Sequence, residues 1–247
     1  MIDIIKKTKA KCISIVGAGG KTSLMFYLAN SLKKDNKVLV TTTTHIKMPK
    51  DNEYDKFILD IDNIDTNLKN GLYIHATKTN NGKLSSLDIK KIYHLKNNFD
   101  YILIEADGSK RKPLKAWRNN EPVIVKESDL TIGVIDITVL DKAISLENIH
   151  RLDLFLKLTN TNEGQKITTK ELIKIIEDKN SLFKNSKDKK ILFINKYENE
   201  ENKKEIKEIY EKLEKSYIDY YFCGSIRNKY FIDMEELIDQ DKCDNNG

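Results

Sequence analysis

The chain has 247 residues, with 43 basic and 38 acidic side chains and a net charge of +5. This length suits one large α/β domain, and 39% hydrophobic with 33% charged residues exclude a disordered chain. No segment approaches the roughly 20 apolar residues of a membrane span, and no signal-peptide pattern opens the sequence. We therefore predict a cytoplasmic protein with no membrane partner.

The basic and acidic residues are interspersed, and no nucleic-acid-binding motif is present. We interpret the positive excess as a solvated surface of mixed charge and predict no nucleic-acid partner. The three cysteines, Cys12, Cys223 and Cys243, do not form a C-x-x-C motif, which argues against a zinc or dithiol site. Sparse cysteines in an odd number also fit a reducing compartment.

Strand-like and helix-like segments alternate along the chain, which predicts a mostly parallel sheet with helices on both faces. A capping box of Thr168 and Glu171 marks one helix start. We expect about residues 141–187 to form a small helical insertion without a strand, and the polar tail from residue 241 to be loose. Predicted strands lie at residues 12–16, 37–43, 57–59, 72–75, 101–104, 130–137, 190–194 and 220–223, and predicted helices at 21–34, 87–98, 150–158, 168–183 and 206–217.

The strongest chemical signal is a glycine-rich loop between the first predicted strand and the helix that follows it. Phosphates need inward-pointing backbone N–H groups, and glycine permits both the tight turn and the close approach. The helix start adds free amides and the positive end of its dipole. A lysine there would reach the terminal phosphates, and the next hydroxyl would bind Mg²⁺. We predict a nucleotide phosphate site at Gly17, Ala18, Gly19, Gly20, Lys21, Thr22 and Ser23.

The spacing of this loop is G-x-x-G-K-T-S, shorter than the common G-x-x-x-x-G-K-[ST]. The shorter form resembles the phosphate loop of Mur-type ligases. An ordinary glycine turn before a helix is the alternative. The expected fold is an α/β, P-loop NTPase-like three-layer sandwich with a mostly parallel sheet and a small helical insertion. Residues 1–247 would form a single P-loop-like nucleotide-binding domain.

Two carboxylates, Glu105 and Asp107, follow the apolar strand that ends at residue 104. Side chains two apart on an extended chain share a face, so both are expected to point toward the phosphates. In P-loop enzymes a carboxylate here holds Mg²⁺, usually through water. We predict metal binding by these two carboxylates together with Thr22. We also predict that both carboxylates and Lys21 are catalytic, one carboxylate orienting an attacking water. An Asp-Gly turn after a core strand is the alternative.

Asn195, Lys196 and Glu198 follow the strand at residues 190–194. They resemble the N-K-x-D motif with which GTPases read guanine, with glutamate in place of aspartate. A carboxylate can accept hydrogen bonds from N1 and N2 of guanine. We predict that Asn195 and Lys196 contact the nucleotide, which would be ATP or GTP, and that the loop at residues 223–225 is a companion. A strand ending in a lysine-rich loop is the alternative.

Two further segments are candidates for contacts with substrate. The hydroxyls of residues 41–44 are candidates to face the γ-phosphate or a second substrate, and His45 is a candidate for proton transfer. The cationic segment 109–115 follows the acidic motif and is a candidate to hold an oxyanion substrate. The alternative for residues 41–45 is a β-rich run with a surface histidine. The alternative for residues 109–115 is a solvated basic loop.

Taken in order, six motifs between residues 16 and 151 resemble the YqeC family, accessory proteins of selenium-dependent molybdenum hydroxylases. The resemblance implies a P-loop-like nucleotide-binding protein that matures the labile selenium-containing molybdenum cofactor. It places nucleotide contacts on residues 17–23 and metal contacts on Glu105 and Asp107. It also implies a molybdenum hydroxylase or its cofactor as a partner. The motifs are Val16–Ser23, Thr41–Ile46, Glu105–Ser109, Pro113–Ala116, Glu121–Ile124 and Ile149–Arg151.

Three functions follow from these motifs. The leading hypothesis is a Mg²⁺-dependent NTPase or phosphoryl transferase that drives cofactor maturation. The second is a Mur-like small-molecule kinase or ligase, which would need a specific acceptor. The third is a non-enzymatic module whose affinity for a cofactor or a hydroxylase is gated by nucleotide.

Overall fold

The computed structural model of the chain describes residues 1–47, 49–58, 64, 67–78, 83–85, 92–198 and 200–244. The helices among them are α1 (Ile2–Thr8), α2 (Lys21–Leu32), α3 (Ile92–Leu95), α4 (Leu152–Thr159), α5 (Thr169–Glu177), α6 (Lys203–Lys212) and α7 (Met234–Asp244). The strands are β1 (Cys12–Gly17), β2 (Lys37–Thr42), β3 (His45–Lys47), β4 (Lys56–Ile58), β5 (Gly71–His75), β6 (Thr77–Lys78), β7 (Lys83–Ser85), β8 (Tyr101–Glu105), β9 (Leu114–Lys115), β10 (Leu130–Asp136), β11 (Ile149–His150), β12 (Lys189–Asn195), β13 (Tyr220–Ser225) and β14 (Tyr230–Asp233).

Nine of the described strands form one central sheet, in the order β14-β13-β12-β10-β1-β8-β2-β5-β4. Every neighbouring pair is parallel except β13 and β14. Two small sheets stand apart from it, one of β3, β7 and β6 and one of β11 and β9. The predicted α/β fold with a mostly parallel sheet is confirmed.

Both faces of the sheet are covered, which explains why its inner strands are buried along nearly their whole length rather than at alternate residues. Every residue of β10 is buried. On one face, Leu24 and Leu28 of α2 pack in one cluster with Ile13 and Ile15 of β1. On the opposite face, α4, α5, α6 and α7 contribute to a second cluster that includes Val16. The arrangement has three layers.

The strand order reverses beside β1, and this places a crevice at one edge of the sheet. From β1 the chain passes through α2 toward β2 on one side, whereas from the neighbouring β10 it passes to β12 on the other. In open parallel sheets, ligands bind at the carboxyl ends of the strands at such a reversal. The register aligns these ends, since Glu105 lies beside Ile15 and Asn195 beside both Asp136 and Gly224.

Most predicted elements of the sheet are present, with boundaries that differ by one or two residues. The capping box of Thr168 and Glu171 is formed at the start of α5, although the helix ends at Glu177 rather than near residue 183. Of the helix predicted at 87–98, α3 covers 92–95, and residues 87–91 lie outside the described part.

The segment 141–187 differs from the prediction of a helical insertion without a strand. It contains α4 and α5 as expected, but also β11, which pairs in parallel with β9. Two-residue strands carry no detectable period, so the pattern could not reveal this pairing. Of the tail predicted to be loose, residues 241–244 belong to α7 instead, and residues 245–247 lie outside the described part. α1 and β14 are additional elements that the sequence pattern did not indicate.

Candidate functional site

The glycine-rich loop passes very close to strand β10. Gly17 has φ +100° and Gly19 has φ +80°. A Cβ atom at Gly17 would lie 2.2 Å from the carbonyl oxygen of Val134, and one at Gly19 would lie 2.3 Å from Cβ of Asp136. Neither the backbone angle nor the space allows a side chain. The glycines at these two positions are therefore required by the path of the loop.

Helix α2 begins at Lys21, directly after the loop, with Gly20 as its N-cap. The first hydrogen bond of the helix runs from the N–H of Leu24 to the carbonyl of Gly20 at 2.8 Å. The amides of residues 21–23 therefore have no partner within the helix. The first turn also carries no acidic residue. Free amides and an unneutralised dipole at this end favour an anion.

Lys21 is held across the base of the loop. Its Nζ donates to the carbonyl oxygen of Gly17 at 2.7 Å. The same atom lies 3.2 Å from Oδ1 of Asp107 and 3.9 Å from Oε1 of Glu105. The lysine is only 4% exposed, so its charge is directed into the loop rather than to bulk solvent.

Glu105 and Asp107 both point toward the glycine-rich loop, as the shared face of an extended chain predicts. Oε2 of Glu105 accepts a hydrogen bond from the Thr22 hydroxyl at 2.5 Å. Burial raises the pKa of Glu105, and nearby Lys21 opposes that rise only in part. Glu105 borders the cleft that opens at this edge, so its oxygens are placed where a ligand could enter.

Asp107 has a different environment, because it is fully buried and its two oxygens differ. Oδ1 has no hydrogen bond and lies 3.2 Å from Nζ of Lys21, whereas Oδ2 receives three donors. Its Oδ2 accepts from the N–H of Gly17 at 3.1 Å, from Nζ of Lys115 at 3.1 Å and from Nε1 of Trp117 at 2.7 Å. Burial would raise the pKa of Asp107, but Lys21, Lys115 and the Gly17 amide outweigh it and lower that pKa. The carboxylate thus anchors the loop and both lysines.

The residues at the mouth of the loop suit a Mg²⁺ ion that is held in part by phosphate and water. Mg²⁺ prefers oxygen ligands and usually takes only one or two carboxylates from the protein. The Thr22 hydroxyl and the Glu105 carboxylate supply such oxygens side by side. Asp107 was predicted as a further ligand, and this stays a prediction. Its Oδ2 is occupied by Gly17, Lys115 and Trp117, whereas its Oδ1 has no hydrogen bond and lies 3.2 Å from Nζ of Lys21. Within the described residues, no group of three or more His, Cys, Asp or Glu side chains is arranged to hold a metal ion.

The Asn195 motif lies next to the glycine-rich loop. The Asn195 side chain donates to the carbonyl of Gly19 at 2.7 Å and accepts from the N–H of Ile226 at 3.2 Å. It therefore ties the phosphate loop to the loop after β13. Lys196 donates to Asp136 at 2.5 Å, and Ser225 donates to Glu198 at 2.9 Å. The predicted companion loop is thus in contact with the Asn195 motif, while base recognition stays a prediction.

One cleft of about 1190 Å³ unites these groups at the carboxyl edge of the sheet. Its lining includes the end of the phosphate loop, the start of α2, Glu105, the segment 108–113 after β8, and the loops after β10, β12 and β13. Its position matches the crevice expected from the reversal of strand order. The sequence-predicted phosphate and base segments therefore share one cavity.

The threonines at the end of β2 and directly after it do not line this cleft. Thr41 donates to the carbonyl of His75, Thr42 to that of Glu105 and Thr43 to that of Val123. These bonds connect neighbouring strands and loops, so a contact with the γ-phosphate is not supported. The side chain of His45 lies outside the described part of the structure.

Sequence reasoning missed a buried network behind the glycine-rich loop. Lys115 is fully buried and bonds Asp107, and its Nζ lies 3.7 Å from Glu121, which in turn pairs with Arg151. Burial lowers the pKa of Lys115 to about 8, against the attraction of Asp107. The network joins four of the motifs, up to 44 positions apart in the sequence, from Asp107 to Arg151. No local pattern signals such a contact.

Asp136 was also missed, although a signal for it exists. It is a carboxylate at the end of a buried strand, which is the same pattern that pointed to Glu105. It is fully buried, accepts from Lys196, and receives two hydrogen bonds from Thr138. Asp136 therefore fixes the loop after β10 at the edge of the cleft.

The two described thiols, Cys12 and Cys223, are unsuited to nucleophilic catalysis. Cys12 and Cys223 are buried, and burial raises the pKa of each to about 12. Thiolates are the reactive form of cysteine, so neither side chain is poised as a nucleophile.

Fold and site together define an α/β protein with a glycine-rich loop and a lysine-led helix at the carboxyl edge of a parallel sheet. More particularly, the chain belongs to the YqeC family, whose model, described as YqeC protein, matches residues 13–153. The uncharacterized protein YqeC of Escherichia coli (strain K12) is 32% identical over 235 residues, with 92% of each chain covered. No solved structure matches the chain. No helix in the described ranges has the length and apolar character needed to cross a membrane.

Proposed function

We propose that the protein binds ATP or GTP with Mg²⁺ at residues 17–23 and uses the nucleotide to mature the selenium-containing cofactor of molybdenum hydroxylases. The nucleotide part is carried by one observation. The Lys21 ammonium, the Thr22 hydroxyl and the Glu105 carboxylate converge at the free N-terminus of α2. The cofactor part is supported by family resemblance alone.

Each side chain has a distinct role in this proposal. Lys21 would bind the terminal phosphates, and Thr22 with Glu105 would hold the metal, which when bound would neutralise phosphate charge. Asp107 would position Lys21 and the loop amides through its contacts with Gly17 and both lysines. Because its pKa is raised, Glu105 is also suited to accept a proton from a water held near it.

The loops after β12 and β13 are proposed to hold the base. Asn195 would fix the phosphate loop relative to these loops through its bonds to Gly19 and Ile226. Glu198 would be the group that reads the base, since one of its oxygens is oriented by Ser225. GTP would be favoured over ATP if this carboxylate accepts from the guanine edge.

A small-molecule kinase or ligase is the second candidate. The cleft of about 1190 Å³ exceeds the 300–1,000 Å³ typical of ligand pockets, which favours two ligands. Such an enzyme should release little phosphate until its acceptor is added. A gated binding module would instead bind nucleotide without turnover and change its partner affinity.

The test is a titration of the purified protein with ATP, GTP and CTP in Mg²⁺, read by thermal stability and released phosphate. A nucleotide at about 100 times its Kd should stabilise the native state by about 2.7 kcal/mol. Lys21→Ala should abolish this gain, whereas Lys170→Ala on the exposed face of α5 should retain it. If no nucleotide stabilises the wild type, or if Lys21→Ala responds like the wild type, the proposal is wrong.

A further inference from the structure

A cationic turn borders the cleft immediately after the acidic motif. The N–H of Lys112 donates to the carbonyl of Ser109 at 2.9 Å, which closes a four-residue turn. Its two central residues, Lys110 and Arg111, have φ of 50° and 62°. Positive φ at both central positions defines a type I′ turn, which normally carries glycine, asparagine or aspartate there. We call residues 109–112 the basic turn.

Lys110 and Arg111 adopt backbone angles that lysine and arginine disfavour. Non-glycine residues in the left-handed region cost free energy and persist only where the surroundings impose them. The surroundings do so here, because Nζ of Lys115 donates to the carbonyl of Gly108 at 2.8 Å, and Nζ of Lys112 donates to the carbonyl of Leu146. The turn is fixed at both ends, so its cations are presented in a defined geometry.

The charge of the basic turn is not neutralised. Lys110 and Arg111 are exposed and line the cleft, and within the described part of the chain no carboxylate forms an ion pair with either. Lys112 of the same turn and Lys142, from the loop after β10, also line the cleft and add two further positive charges. The closest acidic groups of the motif, Glu105 and Asp107, are already engaged by Thr22, Lys21 and Lys115. Unpaired cations in a shared cavity favour a bound oxyanion.

The position of the basic turn separates it from the nucleotide base. From β1, the loops proposed to hold the base lie on the side of β10, β12 and β13, whereas the basic turn follows β8 on the opposite side. The phosphate loop lies between them. A ligand at the basic turn would therefore approach the terminal phosphate from the far side of the nucleotide, and the volume of the cleft leaves room for it.

We propose that the basic turn binds the oxyanion group, phosphate or carboxylate, of a second ligand that shares the cleft with the nucleotide. The guanidinium of Arg111 suits bidentate contact with such a group. The claim that this ligand binds in addition to a nucleotide rests on the proposed function. The claim that the basic turn binds an anion does not.

The first test removes the phosphate-loop lysine, so that the basic turn is measured by itself. Pyrophosphate and citrate are titrated by calorimetry into Lys21→Met and into the same variant carrying Lys110→Gln and Arg111→Gln. We expect one of the two anions to bind Lys21→Met, and the added substitutions to weaken it at least about tenfold, because two charged hydrogen-bond donors are lost. Lys170→Gln in the same background is the matched control and should change affinity less than about twofold.

Binding of pyrophosphate alone would identify a phosphate-bearing ligand, and binding of citrate alone a carboxylate. The proposal is overturned if neither anion binds Lys21→Met, or if removal of Lys110 and Arg111 leaves the affinity unchanged. Because Lys21 is absent throughout, this result stands even if the wild type binds no nucleotide.

The second test asks whether the two ligands share the cleft. In wild type saturated with Mg²⁺ and a non-hydrolysable nucleotide, the anion that binds Lys21→Met should still bind and should further raise the melting temperature. Competition between the anion and the nucleotide would show that the basic turn belongs to the nucleotide site, and would overturn the proposal. A wild type that binds the anion but no nucleotide would remove the proposed function and leave anion binding by the basic turn intact.

Discussion

Replacing Asp107 with asparagine should destabilise the protein far more than the loss of an ordinary ion pair. Asp107 is fully buried between Lys115, also fully buried, and Lys21, which is 4% exposed. Nζ of Lys115 lies 3.1 Å from Oδ2 of Asp107, and Nζ of Lys21 lies 3.2 Å from its Oδ1. An amide of the same shape would keep part of the hydrogen bonding but would leave two buried cations without their common counter-charge.

The structure sets the expected size of this effect. Removing one partner of a buried ion pair costs about 3–5 kcal/mol, and we take the lower end because Glu105 and Glu121 remain near the two lysines. A loss of about 3 kcal/mol should lower the melting temperature by roughly 6–12 °C in a chain of this size. Urea unfolding at pH 7 measures the free energy of unfolding directly.

Asp141→Asn is the matched control, because Asp141 pairs with Lys166 at 3.4 Å with both side chains mostly exposed. This change should cost less than about 0.5 kcal/mol. If Asp107→Asn costs less than about 1 kcal/mol, or no more than the control, the argument that Asp107 is the common counter-charge is refuted.

The difference in unfolding free energy between the wild type and Asp107→Asn should decrease as the pH falls. The pKa of Asp107 is lowered in the folded state, so its contribution to stability is present above the unfolded value of about 3.9 and is lost as pH falls through the folded value. The gap in unfolding free energy between wild type and variant should be constant from about pH 5 to 7 and should narrow below about pH 4. A gap that widens in acid would contradict the lowered pKa.

Three further substitutions test other parts of the site. Glu105→Gln should raise the melting temperature at pH 8, because burial raises the pKa of Glu105 and its charged form is costly; it should also weaken Mg²⁺-dependent nucleotide binding in calorimetry. Gly17→Ala should lower the unfolding free energy by at least about 2 kcal/mol in urea titrations, because its Cβ would meet a backbone carbonyl at 2.2 Å. Lys115→Met should weaken nucleotide binding about tenfold in calorimetry, because the buried carboxylate would then retain Lys21 more strongly.

Each of these has an informative control. The gain from Glu105→Gln should shrink as pH falls, since the wild-type carboxyl becomes protonated, and a gain that grows in acid would count against the raised pKa. Gly164→Ala also has positive φ but open space, so it should cost less than Gly17→Ala. Trp117→Phe removes a neutral donor from Asp107, and an equal effect on nucleotide affinity would show that the charge of Lys115 is not the cause.

The sequence predicted the sheet well where strands are buried on both faces. The apolar runs at residues 101–104 of β8 and 191–194 of β12 are typical of strands in the interior of a parallel sheet. The edge was harder to predict, because β14 is half-buried and antiparallel and α7 is rich in acidic residues. Their stability comes from packing on β13 rather than from local pattern.

The sequence could nominate site residues where one short segment carries the candidate chemistry. The glycines before Lys21 and the two carboxylates at and just beyond the end of β8 could be nominated because backbone geometry and strand alternation are local properties. Lys115, Trp117 and Arg151 could not be assigned, since their role depends on which distant segments meet behind the loop. The different roles of Glu105 and Asp107 also depend on tertiary contacts, because spacing alone treats the two carboxylates as equivalent.

Hydrogen exchange with and without nucleotide tests the central claim most directly, because it reports protection residue by residue. In Mg²⁺ and saturating ATP or GTP, the amides of residues 17–23 should exchange more slowly, with weaker effects at the segments that line the rest of the cleft. The same experiment on Lys21→Ala should show no such protection. Equal exchange at residues 17–23 with and without nucleotide in the wild type would contradict the assignment of this loop as a phosphate site.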